Sequence, residues 1–191
     1  MDKTVYLITG SIAAGKSSLA YLVIKHFNLL KLPFVSTDNY FRKYFNSSTF
    51  FEDNYEKARK YTDMMINELV SRNISFVWET VFSKDKKKKE IKKLKDAGYK
   101  IICFFVGVSF VEDTVKRSNN RAKEGEHFVE ESFILDRYNK SLTNLPWLVK
   151  NVDTVAVIDN TISFRLLYFK SETQEYCSEN LPDWFNKSVV N

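Results

Sequence analysis

Gly10-Ser11-Ile12-Ala13-Ala14-Gly15-Lys16-Ser17 places two glycines, a lysine and a serine at the spacing of a phosphate-binding loop, directly after the apolar run Val5-Tyr6-Leu7-Ile8-Thr9. In such a loop, successive backbone N–H groups wrap phosphate oxygens, the lysine ammonium neutralises β- and γ-phosphate charge, and the serine hydroxyl ligates Mg²⁺. The segment Ser17 to Phe27 that follows is amphipathic, so the loop joins a strand to a helix, the context this chemistry requires. Residues Gly10 to Ser18 are thus expected to hold ATP, with Lys16 on its phosphates and Ser17 on Mg²⁺. The plainer alternative is a glycine-marked turn between a strand and a helix.

Three further groups could do chemistry beside that loop. Asp38 follows an apolar run in Ser36-Thr37-Asp38-Asn39-Tyr40, and Glu79 and Thr80 end another in Phe76-Val77-Trp78-Glu79-Thr80. A carboxylate at a strand end can accept a hydroxyl proton, hold Mg²⁺ through water or grip a substrate hydroxyl. Asp38 could instead cap a helix, and Glu79 could simply be solvated. Arg117 and Arg121 are four apart and share a helix face. Two guanidiniums there could clamp a transferring phosphoryl group; the alternative is a surface helix balanced by Glu112, Asp113 and Glu124. His127 reads equally as a substrate ligand or an exposed loop residue.

The elements that must position these groups recur along the chain. Strand-like runs fall at Thr4 to Ile8, Pro33 to Ser36, Ile74 to Trp78, Tyr99 to Val106 and Val152 to Ile158, with a further one at Ile162 to Phe169. Helix-length segments separate them, among them Asp53 to Val70, Phe110 to Lys123 and Glu131 to Leu142. Alternating strands and helices imply an α/β fold whose mainly parallel sheet carries helices on both faces, in three layers. Such sheets bind ligands outside the carboxyl ends of their strands.

At 191 residues and 44% apolar content, the chain fits one domain with a full core. Cys103 lies in an apolar run and Cys177 in a polar tail, without paired spacing, which suggests reduced thiols and a cytoplasmic protein. No apolar stretch reaches the roughly 20 residues of a membrane span. The net charge of +5 permits an anionic partner. Much of it is local: eight lysines lie between Lys84 and Lys95, with Ile91 and Leu94 as the only apolar positions. On a helix this is a solvated face above a core. A nucleic-acid surface would call for arginines and interleaved aromatics, which the run lacks.

Taken together, the motifs resemble the zeta toxin family. The loop, Asp38, Phe76-Val77-Trp78-Glu79-Thr80, Arg117 and Arg121, Gly125-Glu126-His127, Arg137-Tyr138-Asn139 and Ile158-Asp159-Asn160 follow the family's order and approximate spacing from about Val5 to Asn160. The resemblance implies a P-loop kinase fold over residues 1–191, with a strand and helix extension after residue 160. It also implies transfer of the ATP γ-phosphoryl group to a hydroxyl of a nucleotide sugar, UDP-N-acetylglucosamine in the best-known members. Asp38 would then be the base for the acceptor hydroxyl, Glu79 the carboxylate gripping the sugar with Thr80 and His127 nearby, and Arg117 and Arg121 the phosphate clamp. A small helical antitoxin is the partner implied. The chain departs from its relatives where they carry Gly-Gly-His in place of Gly125-Glu126-His127, and an extra glycine in place of Ile12 or Ala13. Another small-molecule kinase or a polynucleotide 5′-hydroxyl kinase on the same fold, and a nucleotide-binding regulatory module without turnover, are the alternatives.

Overall fold

A strand buried on both faces is apolar at every position, and the computed structural model, which describes residues 3–45, 52–124 and 129–185, shows where each face goes. Strand β4 (Lys100–Gly107) sends Ile101, Cys103 and Phe105 into one core and Phe104 and Val106 into the other. Strands β1 (Thr4–Gly10), β3 (Phe76–Val81) and β5 (Thr154–Asp159) of the same sheet divide their side chains in the same way. The first core is closed by α3 (Glu52–Ser71), α4 (Asp85–Asp96), the second half of α6 (Glu131–Asn151) and the C-terminal pair Trp184 and Phe185. The second is closed by α1 (Lys16–His26), the start of α5 (Val111–Lys123) and the first half of α6.

With β2 (Phe34–Ser36), β6 (Arg165–Lys170) and β7 (Glu175–Cys177), the sheet runs in the order β2-β3-β1-β4-β5-β6-β7. Strands β1 to β5 pair in parallel, and β6 and β7 are antiparallel additions at one edge. The fold class expected from the sequence is the one found, and β1, which carries the glycine loop, sits between β3 and β4.

Three local expectations change. β3 runs to Val81, so Glu79 and Thr80 lie inside the strand and not past its end. The cause is pairing on both sides: Ser36 lies opposite Glu79, and Gly10 lies opposite Val81. Helix α6 continues through Pro146 to Asn151. Fully buried Leu145 and Leu148 extend its apolar stripe; at about 1.5–3 kcal/mol each they offset the roughly 3 kcal/mol of an interior proline. The short helix α2 (Thr37–Tyr44), expected only as what Asp38 could cap, is present and starts after Ser36 instead. Beyond β7, residues 183–185 are helical, and those after 185 lie outside the described residues.

Candidate active site

The loop after β1 depends on two glycines. At Gly10, φ is +143° and a Cβ would stand 2.0 Å from the Val106 carbonyl oxygen; at Gly15, φ is +101° and a Cβ would stand 2.3 Å from Asn160 Nδ2. Neither position admits a side chain. Ala13 adopts φ +54°, so this chain accommodates an ordinary residue in the left-handed region. The Ser11 hydroxyl is buried without a hydrogen-bond partner among the described residues. A buried orphan at the base of a loop of backbone donors is the environment a phosphate oxygen satisfies.

Lys16 is buried and its ammonium donates to the Ser11 carbonyl at 2.7 Å. Burial lowers its pKa; Glu79 and Asp38 oppose that shift and Arg121 adds to it, so all three charges act on the Lys16 ammonium. Beside it, the exposed Ser17 donates its hydroxyl to Glu79 Oε1 at 2.7 Å. The pleat explains the meeting: Glu79 is two residues from Val77, on the face of β3 that α1 covers. Ser18 is exposed in the next position, and Thr80 gives its carbonyl to the Thr9 hydroxyl at 2.8 Å.

Asp38 lies in the first turn of α2, where a carboxylate suits the helix dipole. It does not cap the helix. That role belongs to Ser36, whose hydroxyl accepts from the Asn39 N–H at 3.2 Å. The Asp38 carboxylate instead accepts from the Tyr55 phenol on α3 at 2.8 Å.

The two arginines of α5 differ in their partners. Arg117 Nη2 donates to the carbonyls of Asn160 and Thr161 at 3.0 and 3.2 Å. Asn160 in turn donates its side-chain amide to the Ala14 carbonyl at 2.8 Å, so Arg117 braces the loop after β5 against the glycine loop. Arg121 acts on Lys16 and has no hydrogen-bond or ion-pair partner among the described residues. Arg137, on α6, donates to Ser83 Oγ at 2.9 Å and rests on the Phe133 ring. His127, with Gly125 and Glu126, lies outside the described residues. Tyr55 and Asn160 were not singled out as site residues from the sequence: Tyr55 lies on the regular apolar stripe of α3, and Asn160 is one member of a longer run.

The lysine helix is the solvated face expected of it. Ile91 and Leu94 are buried, while Lys86, Lys87, Lys88 and Lys95 pair with Asp63, Glu90, Asp85 and Asp153.

The sequence profile of the zeta toxin family matches residues 1–169. Compared by sequence with curated proteins, the chain matches none. Among solved structures, the complex of AvrRxo1-ORF1 and -ORF2 with ATP is similar at a TM-score of 0.77 and 13% identity, over 98% of this chain and 64% of that one. The chain therefore spans under two thirds of that relative's length. A structure from the PezAT chromosomal toxin-antitoxin system of Streptococcus pneumoniae is similar at a TM-score of 0.69 and 15% identity, covering 99% of this chain and 79% of that one. Shikimate kinase from Acinetobacter baumannii, in complex with shikimate, is similar at 0.52 and 20% identity, covering 84% of this chain and 85% of the other.

Proposed function

Because the chain belongs to the zeta toxin family, we propose that it is an ATP-dependent P-loop kinase whose acceptor is the hydroxyl of a small molecule, UDP-N-acetylglucosamine. The observation that carries this reading is the glycine loop itself, with Lys16 buried against the Ser11 carbonyl and Ser17 in contact with Glu79 at 2.7 Å; the charges of Glu79, Asp38 and Arg121 are felt at the same ammonium. Phosphoryl transfer is catalysed mainly by positioning and charge, and these residues supply both. Lys16 and the loop N–H groups hold the β- and γ-phosphates, and Arg121 stabilises charge that grows on the moving group. Asp38 takes the proton of the acceptor hydroxyl.

The oxygen donors Ser17 and Glu79, in contact with each other, fit a hard cation, and they are the residues that would hold Mg²⁺. When bound there, Mg²⁺ neutralises charge on the phosphate oxygens. Glu79 is accordingly given to the metal side of the site and not to the sugar. Arg117 acts through the loop it braces. An antitoxin as partner rests on the family and on the toxin-antitoxin origin of the PezAT relative. A cytoplasmic location and a single kinase domain over residues 1–191 complete the reading; among the described residues no helix is long and apolar enough to cross a membrane.

The test is incubation with labelled ATP, Mg²⁺ and a panel of UDP-sugars, nucleosides and DNA 5′ ends, read by mass spectrometry, with Lys16→Ala as control. UDP-N-acetylglucosamine heavier by one phosphoryl group is the expected product. Phosphorylation of another acceptor instead would keep the kinase and discard the nucleotide sugar. ATP binding without turnover on any acceptor would return the chain to a binding module.

A further inference from the structure

The Asp38 carboxylate is held by a group that comes from a different helix and has no place among the motif residues. Tyr55 is half-buried on α3, its ring lies 5.7 Å from that of the fully buried Phe41 on α2, and its hydroxyl donates to Asp38 Oδ1 at 2.8 Å. A second contact, between the hydroxyls of Thr37 and Thr62 at 3.0 Å, ties the same two helices one step away. The ring is thus fixed by packing, and the phenol is aimed by that packing.

We infer that Tyr55 is a positioning residue for phosphoryl transfer, fixing one carboxylate oxygen of Asp38 so that the other is presented to the acceptor hydroxyl. This rests on the reading of Asp38 as the base. A carboxylate at the start of a short helix can rotate about its side-chain bonds; a hydrogen bond to one oxygen selects a single orientation. Catalytic geometry is lost when such a group swings free, because a displacement of about 1 Å is enough to cost rate. Tyr55 remains a donor throughout the working pH range, since desolvation first, and then the charge and hydrogen bond of Asp38, hold its phenol well above its usual pKa. It takes no proton from the acceptor; that proton goes to Asp38.

The experiment is a double-mutant cycle of Tyr55→Phe and Asp38→Asn, measured with the best acceptor of the panel and as ATP hydrolysis, where water takes the acceptor's place. Phe keeps the ring against Phe41, and rates are normalised to ATP-binding sites so that any loss of folded protein is removed. The expected result is a kcat about tenfold lower in Tyr55→Phe, the loss of one hydrogen bond to a charged group, with an unchanged KM for ATP. In the Asp38→Asn background the same change should cost nothing further, which a merely structural role would not produce. A normal kcat in Tyr55→Phe, or an equal loss in both backgrounds, overturns the inference while leaving Asp38 as the base. A normal kcat in Asp38→Asn overturns the base itself.

Discussion

The Ser17 hydroxyl and the Glu79 carboxylate, 62 positions apart in sequence, meet at 2.7 Å. One belongs to the first turn of the helix after the glycine loop and the other to the neighbouring strand, so the contact joins the nucleotide side of the site to the sheet. Glu79→Gln should therefore raise the Mg²⁺ concentration needed for half-maximal rate by about tenfold, the lower end of what is lost when a group supporting a metal is changed. Titration of the initial rate with Mg²⁺ measures it. An unchanged Mg²⁺ dependence with a raised acceptor KM would return Glu79 to the sugar.

Arg117 and Arg121, one helical turn apart, should give different phenotypes. Arg121→Ala should lower kcat by about 10²-fold, the effect of removing one preorganised charge-stabilising donor. Arg117→Ala releases the Asn160 and Thr161 carbonyls, so its main effects should be a lower melting temperature and a raised KM for ATP. Steady-state kinetics with thermal melts separate the two, and matching losses of kcat would refute the division of roles.

Ala13 stands at φ +54°. The left-handed region costs a non-glycine residue about 1–2 kcal/mol, against about 0.4–1 kcal/mol for the extra freedom glycine gives the unfolded chain. Ala13→Gly should thus stabilise the protein by about 0.5–1 kcal/mol, or about 1–4 °C in melting temperature for a chain of this length. A lower melting temperature in calorimetry would show that the methyl group's packing outweighs the strain.

Asp153 gives an acid-sensitive anchor at the far end of the sheet. Burial opposes its charge, but Lys95 at 2.8 Å and the Ile101 N–H at 2.8 Å outweigh it and hold the carboxyl below its usual pKa. A depressed folded-state value means that the contribution is complete above the unfolded value of about 3.9 and is lost as pH falls through the folded one. Asp153→Asn should flatten the acid limb of stability in that window. An identical acid limb in urea melts of both proteins would exclude the contribution.

Much of this was legible from residue order alone. The glycine loop announces itself because its chemistry needs particular residues at fixed short spacing, and β4 does so because burial on both faces leaves no polar position after Lys100. Lys84 to Lys95 reads correctly as a solvated helix for the same local reason. The eventual partner of a side chain is a different matter. Asp38 could cap a helix on sequence grounds, and only the fold gives that role to Ser36 and a Tyr55 hydrogen bond to the Asp38 carboxylate. Glu79 read as a strand-end residue until pairing with β1 and β2 carried β3 past it. The two arginines were equivalent on a helix face, and became distinct only when the loop after β5 folded back to take one of them. The sequence by itself determined the phosphate loop, the strand and helix alternation and the residue types at the site, since each is written in local spacing and periodicity. Strand order, pleat and loop return bring together groups tens of residues apart, and no local pattern records those distances; the tertiary structure alone decided which charge meets which.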